Sequence, residues 1–237
     1  MPELDDVELP LGEAAYRRLR ADIVACRLSP GQRLTERGLA SQLGMGVSPI
    51  RDALTRLDHE GLVRTIPRKG YQVMPLTIQS VNELFDFWAI VGPELVRRGV
   101  TGASSDQFDR ARMLATKFSQ LTRHTGADTR KLALDSVEAI GQFFDLLAEA
   151  TGNRYLIAAH RQVTGEVQRV WTLVIESELV DFGRRVADLD DIGDAMSRRD
   201  ADIAADLIRR HIERSHIRVL EVLARWPSVV TAEVVSN

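Results

Sequence analysis

The side chains best placed to do chemistry in this chain are basic, and the chemistry they suit is recognition of anions, not bond breaking. Arg37 falls in the first turn of a short helix that Thr35 can cap, within reach of a phosphate or a base edge. Arg68 and Lys69 stand in the turn Pro67-Arg68-Lys69-Gly70 and give it a positive tip. The sequence holds no His-Glu-x-x-His, no Gly-rich phosphate loop and no plausible Ser, His and Asp set. An enzyme is therefore not expected, and neither is a cofactor. The lone cysteine, Cys26, can make no intramolecular disulfide or zinc cluster; it follows the apolar rhythm of the first helix and reads as a small buried hydrophobe.

These basic groups need a frame, and residues 38 to 63 supply it. Leu39, Ala40 and Leu43 give one helix an apolar face; after Gly44-Met45-Gly46 the apolar positions resume at Ile50, Ala53, Leu54 and Leu57. Ser48 before Pro49 reads as an N-cap with proline in the first helical position, so the second helix is expected over 49 to 60, with Gly61 ending it. Two short apolar stripes cannot fold alone. Residues 12 to 27 offer the third helix, with Ala15, Leu19, Ile23 and Cys26 at helical spacing. Leu62 to Leu76 alternates in strand fashion around the basic turn and predicts a hairpin. A helix pair of this shape can present one helix N-terminus to a DNA major groove.

Charge is divided in the same way. The formal net charge is -3, yet residues 9 to 76 carry eleven Arg and Lys against six Asp and Glu, which leaves the rest of the chain acidic. A basic module joined to an acidic one is the footprint of a DNA-binding head on a sensing or dimerising body. With 237 residues, 44% hydrophobic and 27% charged, the chain can fill two ordinary domains. No apolar run is long enough to span a bilayer and the acidic start is unlike a secretory signal, so a cytoplasmic protein without membrane contact is expected.

With these motifs in place, the first third resembles the GntR family of bacterial transcription regulators. The carriers are Pro30-Gly31-Gln32-Arg33-Leu34, Pro49-Ile50-Arg51-Asp52-Ala53-Leu54, Glu60-Gly61-Leu62-Val63 and Gly70-Tyr71-Gln72-Val73. The resemblance implies a winged helix-turn-helix over 9 to 76, with DNA contacts from Arg37, from Ser48 and Arg51 at the start of the recognition helix, and from Arg68, Lys69 and Gly70 in the wing. Where relatives usually have Ser-Arg, this chain has Gly46-Val47, so one expected contact is absent. For Arg51 an ion pair with an acid of the same module is the competing role. The resemblance also implies a homodimeric repressor on a palindromic operator in double-stranded DNA.

From Thr77 the pattern is helical throughout, with segments expected over 77–99, 104–124, 129–150, 154–180, 187–198 and 200–225, punctuated by Gly102, Gly126, Gly152 and Gly183. This half, 77 to 230, resembles the FCD domain of FadR-like GntR regulators, through Leu84 to Leu95, Phe143 with Leu147 to Asn153, and Ala195, Asp200, Ala204 and His211. The fold class is then mainly α: a winged helix-turn-helix followed by an effector bundle of six or seven helices. Many FCD domains hold a divalent metal through one Asp and three His, beside an arginine. Those positions fall here on Ile140, Phe144, Leu189 and His211, with Trp88 in place of the arginine. No metal is expected, and these five residues become candidates for lining an apolar effector site. Two readings stay open: a small hydrophobic effector, such as a fatty acyl chain or another lipophilic metabolite, or a filled site whose domain only dimerises. His211 reads as a core or pocket-lining histidine, while His59, His124 and His160 read as surface residues.

Overall fold

The computed structural model describes residues 10–123, 129–177 and 188–225. The chain divides into two compact units, one through Pro75 and one from Leu76. In the first, α1 (Leu11–Val24), α2 (Glu36–Leu43) and α3 (Val47–His59) stand with β1 (Arg33–Leu34), β2 (Val63–Ile66) and β3 (Gly70–Val73). Ala15, Leu19 and Ile23 of α1 bury against Ile50, Leu54 and Leu57 of α3, all at 1% exposure or less. Each buried Leu or Ile among them contributes about 1.5–3 kcal/mol, so the third helix supplies the burial the pair lacks.

Local chemistry sets the element ends, and two of them differ from expectation, as does the strand count. Thr35 caps α2 as predicted, its hydroxyl accepting from the Gly38 N–H at 3.1 Å. Ser48, however, is no cap: α3 begins at Val47 with Gly46 as N-cap and no side-chain cap bond, which places Pro49 third in the helix. Proline is tolerated there because the first four N–H groups have no intrahelical partner. Cys26 is not in α1 either; it lies beyond the helix end, half-buried, with φ +54°. The hairpin gains a third strand: β1 pairs antiparallel with β3, Arg33 opposite Gln72 and Leu34 opposite Tyr71, giving the order β1-β3-β2. Two residues are too short a run for period-two patterning to reveal.

The second unit is helical throughout its described residues: α4 (Ile78–Gly102), α5 (Ser105–Arg123), α6 (Thr129–Ala150), α7 (Arg154–Glu176), α8 (Asp188–Ser197) and α9 (Ala201–Leu223). Thr77 and Ser80 form a reciprocal capping box at the start of α4. Asn153 caps α7 and Asp200 caps α9 with their side-chain oxygens. The core runs through Phe85, Leu95, Val96, Phe143, Leu147, Ala204, Ile208 and Val219. Gly102, expected as punctuation, is the last residue of α4, and lies close to the carbonyl of Ala150. No described helix is long and apolar enough to cross a membrane.

Candidate functional site

Two sets of residues stand out, one in each unit. In the first, the N-terminus of α3 faces outward: Gly46, Val47 and Ser48 are exposed, no acid lies in the first turn, and Arg56 and His59 occupy the last. N–H groups left without a side-chain cap, at the positive end of the helix dipole, suit a phosphate or a polar base edge. Arg37 is exposed on the first turn of α2. Arg51 projects from α3 with its side chain 60% exposed and reaches across to Glu36, Nε to Oε1 at 2.9 Å and Nη2 to Oε2 at 2.7 Å. That fork joins the first turn of α2 to the second turn of α3. It also holds the Glu36 carboxyl below the usual carboxylate range, through those hydrogen bonds.

The wing is tied to α3 and to the loop before β1. Thr65 donates to Asp58 at 2.6 Å, Arg64 donates twice to Gln72 Oε1, and Gln72 Nε2 donates to the Gly31 carbonyl at 2.9 Å. At its tip the Lys69 N–H closes a turn on the Ile66 carbonyl at 2.9 Å, with Pro67 second and Arg68 third at φ +64°. Such a turn favours glycine in third place, and an L-residue there costs about 1–2 kcal/mol. An exposed arginine occupies it instead, followed by the exposed Lys69 and by Gly70 at φ +88°. Arg68→Gly is therefore expected to leave stability unchanged or raise it by up to about 1 kcal/mol in a urea melt. The same variant should weaken DNA binding on every sequence and flatten its salt dependence by about one unit of slope, as loss of a phosphate contact does. Undiminished affinity in an anisotropy titration would remove Arg68 from the contact set.

In the second unit, Trp88, Ile140, Phe144 and His211 meet around one cavity between α4, α6, α7 and α9. The side chain of Leu189 lies outside the described residues. The Trp88 and Phe144 rings meet edge to face with centroids 4.7 Å apart, and His211 stands edge-on to Phe118 at 5.8 Å. The cavity holds about 50 Å³, less than an extended acyl chain occupies. A metal does not suit this site. Ile140 and Phe144 are hydrocarbon where carboxylate and imidazole would be needed, and among the described residues no three His, Cys, Asp or Glu side chains gather to hold an ion.

Sequence reasoning missed several wall residues, among them Thr164, Gln168, Trp171 and Ser215, and placed another at the surface. His160, expected at the surface, is 2% exposed and lines the cavity from α7, its ring 5.8 Å from that of Trp88. Its Nε2 donates to Asp145 Oδ1 at 2.6 Å. No local signal pointed to it, since the partner sits fifteen residues away on α6. His59 is exposed as expected, and His124 lies outside the described residues.

A basic winged helix with an outward helix N-terminus, followed by a helical unit with an internal cavity, defines a DNA-binding regulator with a sensing domain. Comparison with known proteins agrees. Residues 11–73 match the bacterial regulatory proteins of the gntR family, and residues 83–214 match the FCD domain. The chain belongs to the GntR family of transcription regulators, in the group that carries an FCD domain, and these are not enzymes. It is 27% identical to the HTH-type transcriptional regulator BphR of Paraburkholderia xenovorans, over 86% of this chain and 82% of that one. It is 26% identical to the HTH-type transcriptional repressor GlaR of Escherichia coli, over 83% and 90% of the two chains. Among solved structures, E. coli McbR/YncC shares the fold with a TM-score of 0.71 at 16% identity, covering 90% of this chain and 98% of that one. A GntR regulator from Rhodococcus superposes with a TM-score of 0.65 at 20% identity, over 89% and 97%.

Proposed function

We propose that the protein is a cytoplasmic homodimeric repressor of the FadR-like branch that binds a palindromic operator and is controlled by a compact hydrophobic effector in its FCD domain. One observation carries the effector half: Trp88, Ile140, Phe144 and His211, drawn from three helices, line the same cavity. Domain boundaries at 9–76 and 77–230 follow from this division of labour. Arg37, Ser48, Arg51, Arg68, Lys69 and Gly70 form the DNA contact set, and Leu189 completes the effector set. Effector binding biases the bundle between two arrangements and so changes the spacing of the two heads on DNA. A repressor similar to this chain, GlaR, supports the sign of regulation.

A second copy has a face to dock on. Phe87 and Ile90, one turn apart on α4, are 41% and 70% exposed. Ile90→Arg is expected to halve the mass seen by light scattering at micromolar concentration and to weaken operator binding at least tenfold. The full chain tested against a pool of random DNA should enrich an inverted repeat; enrichment of single sites by a stable monomer would overturn the dimeric reading. The small cavity volume favours a second reading, in which the FCD domain dimerises and binds nothing. Operator affinity that no small apolar compound alters would favour that reading.

A further inference from the structure

We infer that Val47 reads a thymine, its isopropyl group meeting the 5-methyl of that base in the major groove; this rests on the DNA-contact reading above. Val47 is the first residue of α3 and stands at its outward end, between the exposed Gly46 and Ser48. Its apolar neighbours Met45 and Ile50 pack into the core of the first unit. Val47 stays 36% exposed. A single exposed valine is ordinary over most of a protein surface. Here it occupies the end of the helix that a helix-turn-helix lays in the groove, where exposed side chains meet base edges.

The chemistry of the side chain narrows what it can read. Valine neither donates nor accepts a hydrogen bond, and in the major groove the thymine methyl is the apolar group that base pairs present. Set against a guanine, adenine or cytosine edge, it covers a polar group from water and returns no hydrogen bond. Branching at Cβ holds a helical valine near one rotamer, so its methyl groups are aimed at one place. Position narrows the choice further. Val47 lies four residues before Arg51 and shares one edge of α3 with it. Four residues advance about 6 Å along the helix, or about two base-pair steps. The thymine is therefore expected within about two base pairs of the base that Arg51 contacts.

Deoxyuridine in place of thymine removes the 5-methyl and leaves base pairing intact, so it tests the contact directly. The full chain first selects its site from random DNA, and each thymine of that site is then replaced in turn, with affinity read by anisotropy. Replacement of one thymine near the Arg51 base is expected to weaken binding about fourfold, the worth of one buried methyl group. Val47→Ala should shrink that effect to less than about twofold, because the alanine side chain is too short to cover the methyl. Equal affinity of the unaltered chain for every deoxyuridine site overturns the assignment, and so does a methyl effect that V47A leaves untouched; either result leaves the DNA-binding reading standing. Selection of no sequence at all overturns base reading by this head and the assignment together. Should V47A fail to fold, NMR of the unaltered chain on its selected site decides: a nuclear Overhauser contact must join the Val47 methyl groups to the thymine 5-methyl, and its absence overturns the proposal.

Discussion

Arg51→Ala is expected to weaken operator binding roughly 10- to 100-fold, with most of the loss at a single base position. A guanidinium paired twice with guanine is worth about 1–3 kcal/mol of discrimination. The ion pair with Glu36 does not stand in the way. With the Arg51 side chain 60% exposed, solvent screens the pair, which returns less than a base contact does. The Glu36 carboxyl is held below its ordinary range, so the pair's small stabilisation is complete above that range. It is lost only as pH falls through the lowered value, so an assay at neutral pH sees the pair fully formed. The control is Lys69→Ala, which should lower affinity evenly across sequences and reduce the salt slope by about one. If R51A behaves like K69A, Arg51 reads no base and serves a phosphate or the fold.

The largest effect on stability is expected at Gly99. A Cβ there would stand 2.6 Å from the Leu147 carbonyl oxygen and 2.8 Å from the Leu147 Cβ, and Leu147 is fully buried. The obstacle is the backbone of α6, which cannot turn aside as a long side chain would. Alanine for glycine inside a helix normally gains about 1 kcal/mol. Here the clash outweighs it, and Gly99→Val should cost about 3 kcal/mol, the upper end of ordinary overpacking. The melting temperature of the bundle would fall by about 6–12 °C. Gly193 in α8 gives the opposite sign, because nothing among the described residues lies within 4 Å of its Cβ position. Gly193→Ala should therefore raise stability by about 1 kcal/mol. Calorimetry of the two variants side by side separates helix propensity from helix approach.

These two glycines mark where sequence stops being legible. Helical periodicity placed α4 to α9 to within about four residues at each described end, because a buried stripe repeats over many turns. It could not tell a glycine that ends a helix, as Gly102 ends α4, from one inside a helix that admits a neighbour, as Gly99 does. The candidate site divides similarly. Trp88, Ile140, Phe144 and His211 were reached through the family resemblance, and they share one cavity. His160 was out of reach, since its burial and its bond to Asp145 come from the packing of α6 on α7, which no spacing encodes. The Ser48 cap failed for a smaller reason: Ser-Pro fits two registers of a helix start, and the chain takes the one beginning at Val47.

The short strand β1 has a mechanical consequence. Leu34 opposite Tyr71 fastens the lead-in of α2 to the wing, while Thr65 fastens the wing to Asp58 of α3. The probing tip and both helices of the motif are thus stitched into a single stiff stylus. A site lengthened by one base pair cannot be followed by bending the wing alone, so accommodation must come from the DNA.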